Sequence, residues 1–593
     1  MTTRTDGEPI KLRGIAVSPG IVIGKASLVD RGNVKIFYQY LSDNHIGKEV
    51  ERFEEALQIT EDQFVDLKNR MPDDIKQHDF ILDSSLMILR DSMLADATVH
   101  RILDEKINAE WALEKSLEGI RKVFEKIDDE YIGTRINDVE NVTERIQRNL
   151  LGEQQQSLAE IDKRVIIVAQ DLSPADTAEL NLVKVMGFIT DMGGRTSHTA
   201  ILAQALEIPV VAGLESVTHL TKDGDLLIVD GNTGAVIINP DEDDIIYYQD
   251  RRVVFEEYKS SIARESYLPA MTLDGRGISV KANIEFLEEV AAARDFDVKG
   301  IGLYRTEFLY LRSKGLPSEE ELFENYREVA ELVAPDPVTI RTFDLGGDKL
   351  VSGLEMTREI NPALGVRGIR FCLKELGIFR SQLRAILRAS AFGRVQLMFP
   401  MISGVQEVLD AKEIVEEEKG MLDHQGIEYD HDIKTGVLIE IPSAVTMADA
   451  LAGHVDFFSI GTNDLIQYAL AIDRVNEDMA FMYQPFHPAI LRMIKHVVDA
   501  AKNAGIGVSV CGEMAGDPLC IYMLLGLGIE ELSMNPGAIP FCKKVIRSVT
   551  IKEATADSEE VMRFSTAREV REFAVARMKH LVPELEKTGH LDP

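Results

Sequence analysis

Beyond Leu268, strand-like runs alternate with helical segments, and no other feature of this 593-residue chain restricts its fold as tightly. The runs are "ISVKANI" from Ile278, "GIGLYRTEF" from Gly300, "VTIRTFD" from Val338 and "VQLMFPMI" from Val395. They continue with "TGVLIEIP" from Thr435, "FFSIGTNDL" from Phe457, "GVSVCGEM" from Gly507 and "ELSMN" from Glu531. Segments such as "EEELFENYREVAELV" and "PAILRMIKHVVDAAKNAG" lie between them with helical spacing of their apolar residues. Eight strands with intervening helices over roughly 270 residues predict a closed (β/α)8 barrel. An open doubly wound sheet is disfavoured, because no GxGxxG follows the first strand.

Upstream the pattern differs, and the chain is predicted to be a multidomain α/β protein. Residues 10–30, "IKLRGIAVSPGIVIGKASLVD", read as two short strands around a Ser-Pro-Gly turn. From about Ile46 to Leu151 charged helices follow, and after Gly152 strands return in "VIIVAQ", "GFITDMG", "VVAG", "LLIVDG" and "VIINP". A small α/β domain (1–34 and 153–240) is therefore expected to be split by an inserted helical domain (35–152). A charged linker helix (241–267) leads to the barrel domain (268–593), whose tail beyond Thr550 looks acidic and helical. Residues 35–152 hold 26 Asp and Glu against 16 Lys and Arg, which suits either an ordinary solvated surface or a docking face for a basic partner.

The net charge of −34 argues against nucleic acid or an anionic membrane as the main partner. Any anionic substrate then needs a local arginine cluster. Four cysteines without a CxxC pair offer neither a disulfide scaffold nor a zinc ribbon. With no apolar leader and no long apolar run, a soluble cytoplasmic protein is expected.

The polar residues fall where barrel chemistry is built, at the C-terminal ends of strands. Arg305 closes the second strand, Arg341 lies in the third, Glu440 ends the fifth, Asn463 and Asp464 end the sixth, and Cys511 ends the seventh. Each has a dull explanation alone, as a rim salt bridge, a cap or a small buried side chain. Together they are coherent. Glu440 and Asp464 are hard oxygen donors suited to magnesium. Arg305 and Arg341, with Arg474 in "DRVNED", offer forked donors to phosphate or carboxylate. Cys511 stands as a proton donor to a carbon centre. In the N-terminal half, "GGRTSHT" places His198 in the first turn of a helix, where unpaired N–H groups disfavour imidazolium and favour an anion.

"GGRTSHTAILA", "GIGLYRTEF", "IRTFDLGGDK", "RAILRASAFG", "FFSIGTNDLIQYALA" and "CGEMAGD", in this order over roughly residues 10–548, resemble the phosphoenolpyruvate–protein phosphotransferases, enzyme I of the bacterial sugar phosphotransferase system. The resemblance implies that Mg2+-bound phosphoenolpyruvate phosphorylates His198 and leaves pyruvate, after which the group passes to the carrier HPr. It implies that Thr196 and Ser197 orient the ring, and that Arg195 either pairs with phosphate or serves on the surface. Glu440 and Asp464 would hold the metal. Arg305, Arg341, Arg367, Arg474 and the backbone region of Asn463 would hold phosphate, and Cys511 would protonate the enolate of pyruvate.

A homodimer through the barrel and a swing of the His198 domain about the 241–266 connector are further implications. Two departures stand out. Val475 follows Arg474 where the family usually has Gly, and a β-branched residue does not readily take positive φ. Ser84-Ser85 stands where relatives often show Gly-His. A dikinase or synthase would need a nucleotide-binding domain that nothing upstream of His198 supplies. A regulatory phosphocarrier would not need the complete rim. A nitrogen-regulatory paralogue typically begins with a sensory domain, so the sugar branch is favoured.

Overall fold

The computed structural model describes residues 9–29, 36–70, 80–91, 93–124, 130–152, 163–172, 184–193, 208–312, 316–344, 361–473, 479 and 482–587. They belong to two compact units, residues 1–257 with 587–593 and residues 258–586.

The first unit holds an eight-stranded mixed sheet made of β1 (Ile10–Arg13), β2 (Ile15–Ser18), β3 (Ile21–Val29), β4 (Val165–Ala169), β5 (Val185–Thr190), β6 (Val210–Ala212), β7 (Leu226–Asp230) and β8 (Ala235–Ile238). The strand order is β1-β8-β7-β3-β4-β5-β6-β2, and β3 through β6 run parallel. Sequence from both sides of the helical block thus shares one sheet. Between β3 and β4 lie α1 (Ile46–Arg70), α2 (Phe80–Leu89), α3 (Ala95–Glu105), α4 (Ala109–Phe124) and α5 (Glu130–Leu151). Buried Phe53, Ala56, Thr60, Phe64 and Leu67 recur at three- and four-residue spacing along α1 and join Leu113 and Ile146 in a core of their own. Each such large apolar side chain contributes roughly 1.5–3 kcal/mol on burial. The linker is one helix, α6 (Glu242–Glu265), and the boundary between the units falls inside it.

Where two strands were expected in residues 10–30, three form, and Gly14 is the reason. β1 and β2 are joined by this single residue yet stand at opposite ends of the strand order, so the sheet rolls up until its edges nearly meet. Gly14 donates its N–H to the Gly234 carbonyl at 2.9 Å, and a Cβ on it would lie 2.4 Å from the Ala212 carbonyl oxygen. Both neighbours are backbone and cannot yield. Gly14→Ala is expected to destabilise this unit by about 1–3 kcal/mol. Denaturant melting followed by far-UV circular dichroism reads that loss, and an unchanged midpoint would show that the seam has room.

The second unit contains a closed parallel barrel of β9 (Ser279–Ile284), β10 (Ile301–Arg305), β11 (Pro337–Arg341), β12 (Arg394–Phe399), β13 (Lys434–Ile439), β14 (Phe457–Ile460), β15 (Gly507–Val510) and β16 (Glu531–Met534), with β16 pairing back onto β9. Its helices start and stop where sequence chemistry places them. Ser318 and Glu321 form a capping box at the start of Glu319–Val333, and Gly505 at φ +72° ends Pro488–Ala504. The register puts Leu438, Ser459 and Ser509 on one face with Glu531, and Ser533 with Lys281. This inward face is unusually polar for a barrel core. Above it Leu303, Met398, Leu438 and Cys511 pack into a small apolar floor. Helices Ile551–Val561, Ala567–Leu581 and Glu584–Lys587 follow the barrel.

Candidate active site

Arg305 and Arg341 are the last residues of β10 and β11, and Glu440 and Cys511 directly follow β13 and β15. All four stand at the C-terminal rim. Asn463 and Asp464 do not end a strand, as the sequence suggested. β14 stops at Ile460, Gly461 turns the chain, and both residues occupy the first turn of helix Thr462–Leu470. They remain buried on the same rim. Arg367 lies in the β11–β12 connection, before helix Ile369–Lys374. Arg474, and Arg195, Thr196, Ser197 and His198 in the connection from β5 to β6, lie outside the described residues.

The guanidinium groups are held by carboxylates. Arg341 donates to Glu307 at 2.6 Å and pairs with Asp344 at 3.1 Å. Arg367 grips Asp344 with a two-pronged fork (3.2 and 3.0 Å) and lies 3.7 Å from Asp464. Arg367 also donates to the Tyr468 hydroxyl at 3.3 Å, and that hydroxyl donates to the Ala363 carbonyl. Arg305 donates to Glu285 at 2.6 Å. Such charge-assisted bonds contribute about 1.5–3 kcal/mol each and fix the donors before substrate arrives. The Nε of Arg341 is buried and has no hydrogen-bond partner among the described residues. A buried donor without a partner is costly, and an incoming oxyanion would satisfy it.

Three guanidinium groups face Glu285, Glu307, Asp344, Glu440 and Asp464, an excess of two carboxylates. Burial pushes the Glu440 carboxyl well above the usual carboxylate range, Asp464 and Asp344 add to that push, and Arg341 and Arg367 oppose it. One Glu440 oxygen accepts the Met401 N–H at 2.6 Å. The other lies beside Gly461, where a Cβ would stand only 2.9 Å away. Among the described residues no group of three or more His, Cys, Asp or Glu side chains is arranged to hold a metal. Two hard carboxylates beside an anion pocket nonetheless fit a divalent cation that fills its remaining positions with substrate oxygens and water. Its two positive charges would also offset the negative excess.

The Cys511 thiol is buried on the apolar floor, which pushes it up to about 11. It therefore stays protonated at neutral pH, which leaves it a poor nucleophile with a proton to give. The carboxylates that fix the arginines were not singled out from sequence. Glu307 lies two residues beyond Arg305 in "RTEF", and Asp344 three beyond Arg341 in "RTFD", so an acid just past a rim arginine was the available signal. Tyr468, and Glu513, which exchanges hydrogen bonds with Asn463 at 3.0 and 2.8 Å, carried none.

A barrel with this rim defines a class, the enzymes that use phosphoenolpyruvate. Residues 259–551 match the family described as PEP-utilising enzyme, PEP-binding domain. Residues 13–135 match its N-terminal family and 161–234 its mobile domain. The phosphoenolpyruvate-protein phosphotransferases of Bacillus sp. (strain S) and Geobacillus stearothermophilus are each 42% identical over 563 residues, 95% of this chain and 97% of theirs. That of Haemophilus influenzae is 41% identical over 560 residues, 94% and 97%. The chain belongs to the phosphoenolpyruvate–protein phosphotransferase family.

Proposed function

We propose that His198 accepts the phosphoryl group of phosphoenolpyruvate bound at the barrel rim and passes it to an HPr-type carrier, with Mg2+ as the cation. The observation that carries this is the meeting of Arg305, Arg341, Arg367, Glu440, Asp464 and Cys511 on one rim. Enzymes of the family depend on a metal ion. Glu440 and Asp464 would hold it, where it would neutralise phosphate and carboxylate charge. Arg305, Arg341, Arg367, Arg474 and Asn463 then orient the phosphoryl group. The imidazole nitrogen forms a bond to phosphorus as the bond to the enol oxygen breaks, and the electron pair leaves on the enolate. Cys511 supplies the proton to its methylene carbon. Thr196 and Ser197 orient the ring, and Arg195 pairs with the transferred phosphate.

Reacting atoms must come within about 3–3.5 Å, so residues 1–34 and 153–240 are assigned the travelling part and α6 the hinge. Residues 35–152 are assigned to carrier docking, and the barrel to homodimer formation. No helix among the described residues is long and apolar enough to cross a membrane, in keeping with a cytoplasmic enzyme. The direct test is pyruvate release from phosphoenolpyruvate, with and without Mg2+ and carrier. Release that needs neither would overturn the reading. Faster discharge to a sugar-branch than to a nitrogen-branch carrier is expected.

Cys511→Ala is expected to slow pyruvate formation by about 10²–10⁴-fold while phosphoenolpyruvate still binds. Because burial pushes the folded thiol up to about 11, it keeps its proton through the neutral range and past the usual thiol value. The pyruvate-forming step should therefore show no loss on passing the usual thiol value of about 8.5. A limb there, absent from the alanine variant, would show an ordinary exposed thiol.

A further inference from the structure

Asn283 lies on the inward face of β9 and donates its side-chain amide to the Cys511 carbonyl at 2.9 Å. Its own amide oxygen accepts the Ser533 hydroxyl of β16 at 2.6 Å. That second bond fixes which end of the Asn283 amide faces Cys511. Ser533 is fully buried and fits only because β10 carries Gly302 opposite it, where a Cβ would lie 2.4 Å from the Ser533 oxygen. The β15–β16 ladder ends at the Val510–Leu532 pair, so the Cys511 carbonyl has outrun its strand. On the other side the Cys511 N–H donates to the Ile460 carbonyl at 3.1 Å. Cys511 is thus gripped through both halves of its backbone, from β14 and from β9. Polar side chains deep in a barrel are costly unless fully paired. Three strands committed to one pairing, with a glycine clearing its space, is a large investment for a single carbonyl.

We infer that Asn283 and Ser533 form a clamp that positions Cys511 for proton delivery to the methylene carbon of the enolate. This rests on the reading of Cys511 as the acid. In the step itself the S–H bond breaks, and the enolate electron pair forms the C–H bond of pyruvate. The thiolate left behind regains its proton from water. The clamp touches no reacting atom. It sets the direction and distance of the thiol over its apolar floor, so Asn283 and Ser533 are positioning residues.

The reverse of this step can be watched alone, as exchange of the pyruvate methyl hydrogens in D2O catalysed by the full chain with Mg2+. Asn283→Ala is expected to slow both exchange and kcat at least tenfold while the KM for phosphoenolpyruvate stays within twofold. Ser533→Ala should lose at least threefold in the same direction. Asn283→Asp, nearly isosteric, keeps the serine bond but presents only acceptors to the Cys511 carbonyl. It should lose exchange as Asn283→Ala does, and it remains decisive if the alanine variant folds poorly. Wild-type exchange in Asn283→Asp, with exchange abolished in Cys511→Ala, would overturn the clamp and leave the acid in place. Wild-type exchange in Cys511→Ala would instead overturn the acid assignment beneath it. A rise in KM matching the fall in kcat would mark a general distortion of the rim and also overturn the positioning role.

Discussion

Incubation of the His198→Ala chain with labelled phosphoenolpyruvate and Mg2+ is expected to leave the protein unlabelled. Of the 12 histidines only His198 stands in "GGRTSHTAILA", behind two glycines and two hydroxyls, where the sequence predicts a helix start. A helix start lowers the affinity of imidazole for a proton and welcomes the phosphoryl dianion that replaces it. The neutral ring is then a competent nucleophile at pH 7, and its P–N bond stays labile enough to discharge. The loss should be complete, because the proposed route stores the phosphoryl on His198 alone between the two transfers. The barrel of the variant remains whole, so phosphoenolpyruvate should still bind to it. Label persisting on the alanine variant would place the acceptor elsewhere.

The second large effect is expected from Arg341→Lys, a change that keeps the charge. Arg341 is 9% exposed and is fixed by Glu307 and Asp344, with its Nε left over. Lysine cannot satisfy both carboxylates and present a fork to phosphate. Losing two charge-assisted bonds of about 1.5–3 kcal/mol each corresponds to roughly 10²–10⁴ in kcat/KM. Phosphorylation of His198 from a phosphorylated carrier, which does not use this rim, should persist and report that the chain is folded. Equal loss in both directions would reduce Arg341 to a structural residue.

Much of this architecture was legible because each barrel strand is short, apolar and bounded by turn residues, so periodicity alone located all eight. The rim positions of Arg305, Arg341, Glu440 and Cys511 followed from knowing where strands end. Asn463 and Asp464 were misplaced by one helical turn, since "SIGTNDL" reads on as strand and nothing local announces that Gly461 starts a helix. At Gly14 "IKLRGIAVS" does carry a signal, since its large apolar residues change phase from Ile10 and Leu12 to Ile15 and Val17, but only the pairing of β1 with β8 and β2 with β6 shows that the chain changes sheet edge there. The Glu307, Asp344 and Asn283 contacts were not readable, because they join side chains brought together by barrel closure rather than by spacing.

The placement of α1–α5 carries a consequence for descent. β3 and β4 are adjacent and parallel, so the polypeptide needs some excursion to travel from the end of one to the beginning of the other. Here the whole acidic helical block serves as that excursion, and its hydrophobic centre is built from its own side chains. Lineages can therefore remodel the block, including the unusual Ser84-Ser85, without shifting a single rung between the flanking strands. On the proposed assignment of carrier docking to this block, its recognition surface can drift in this way while the strands on either side keep their register.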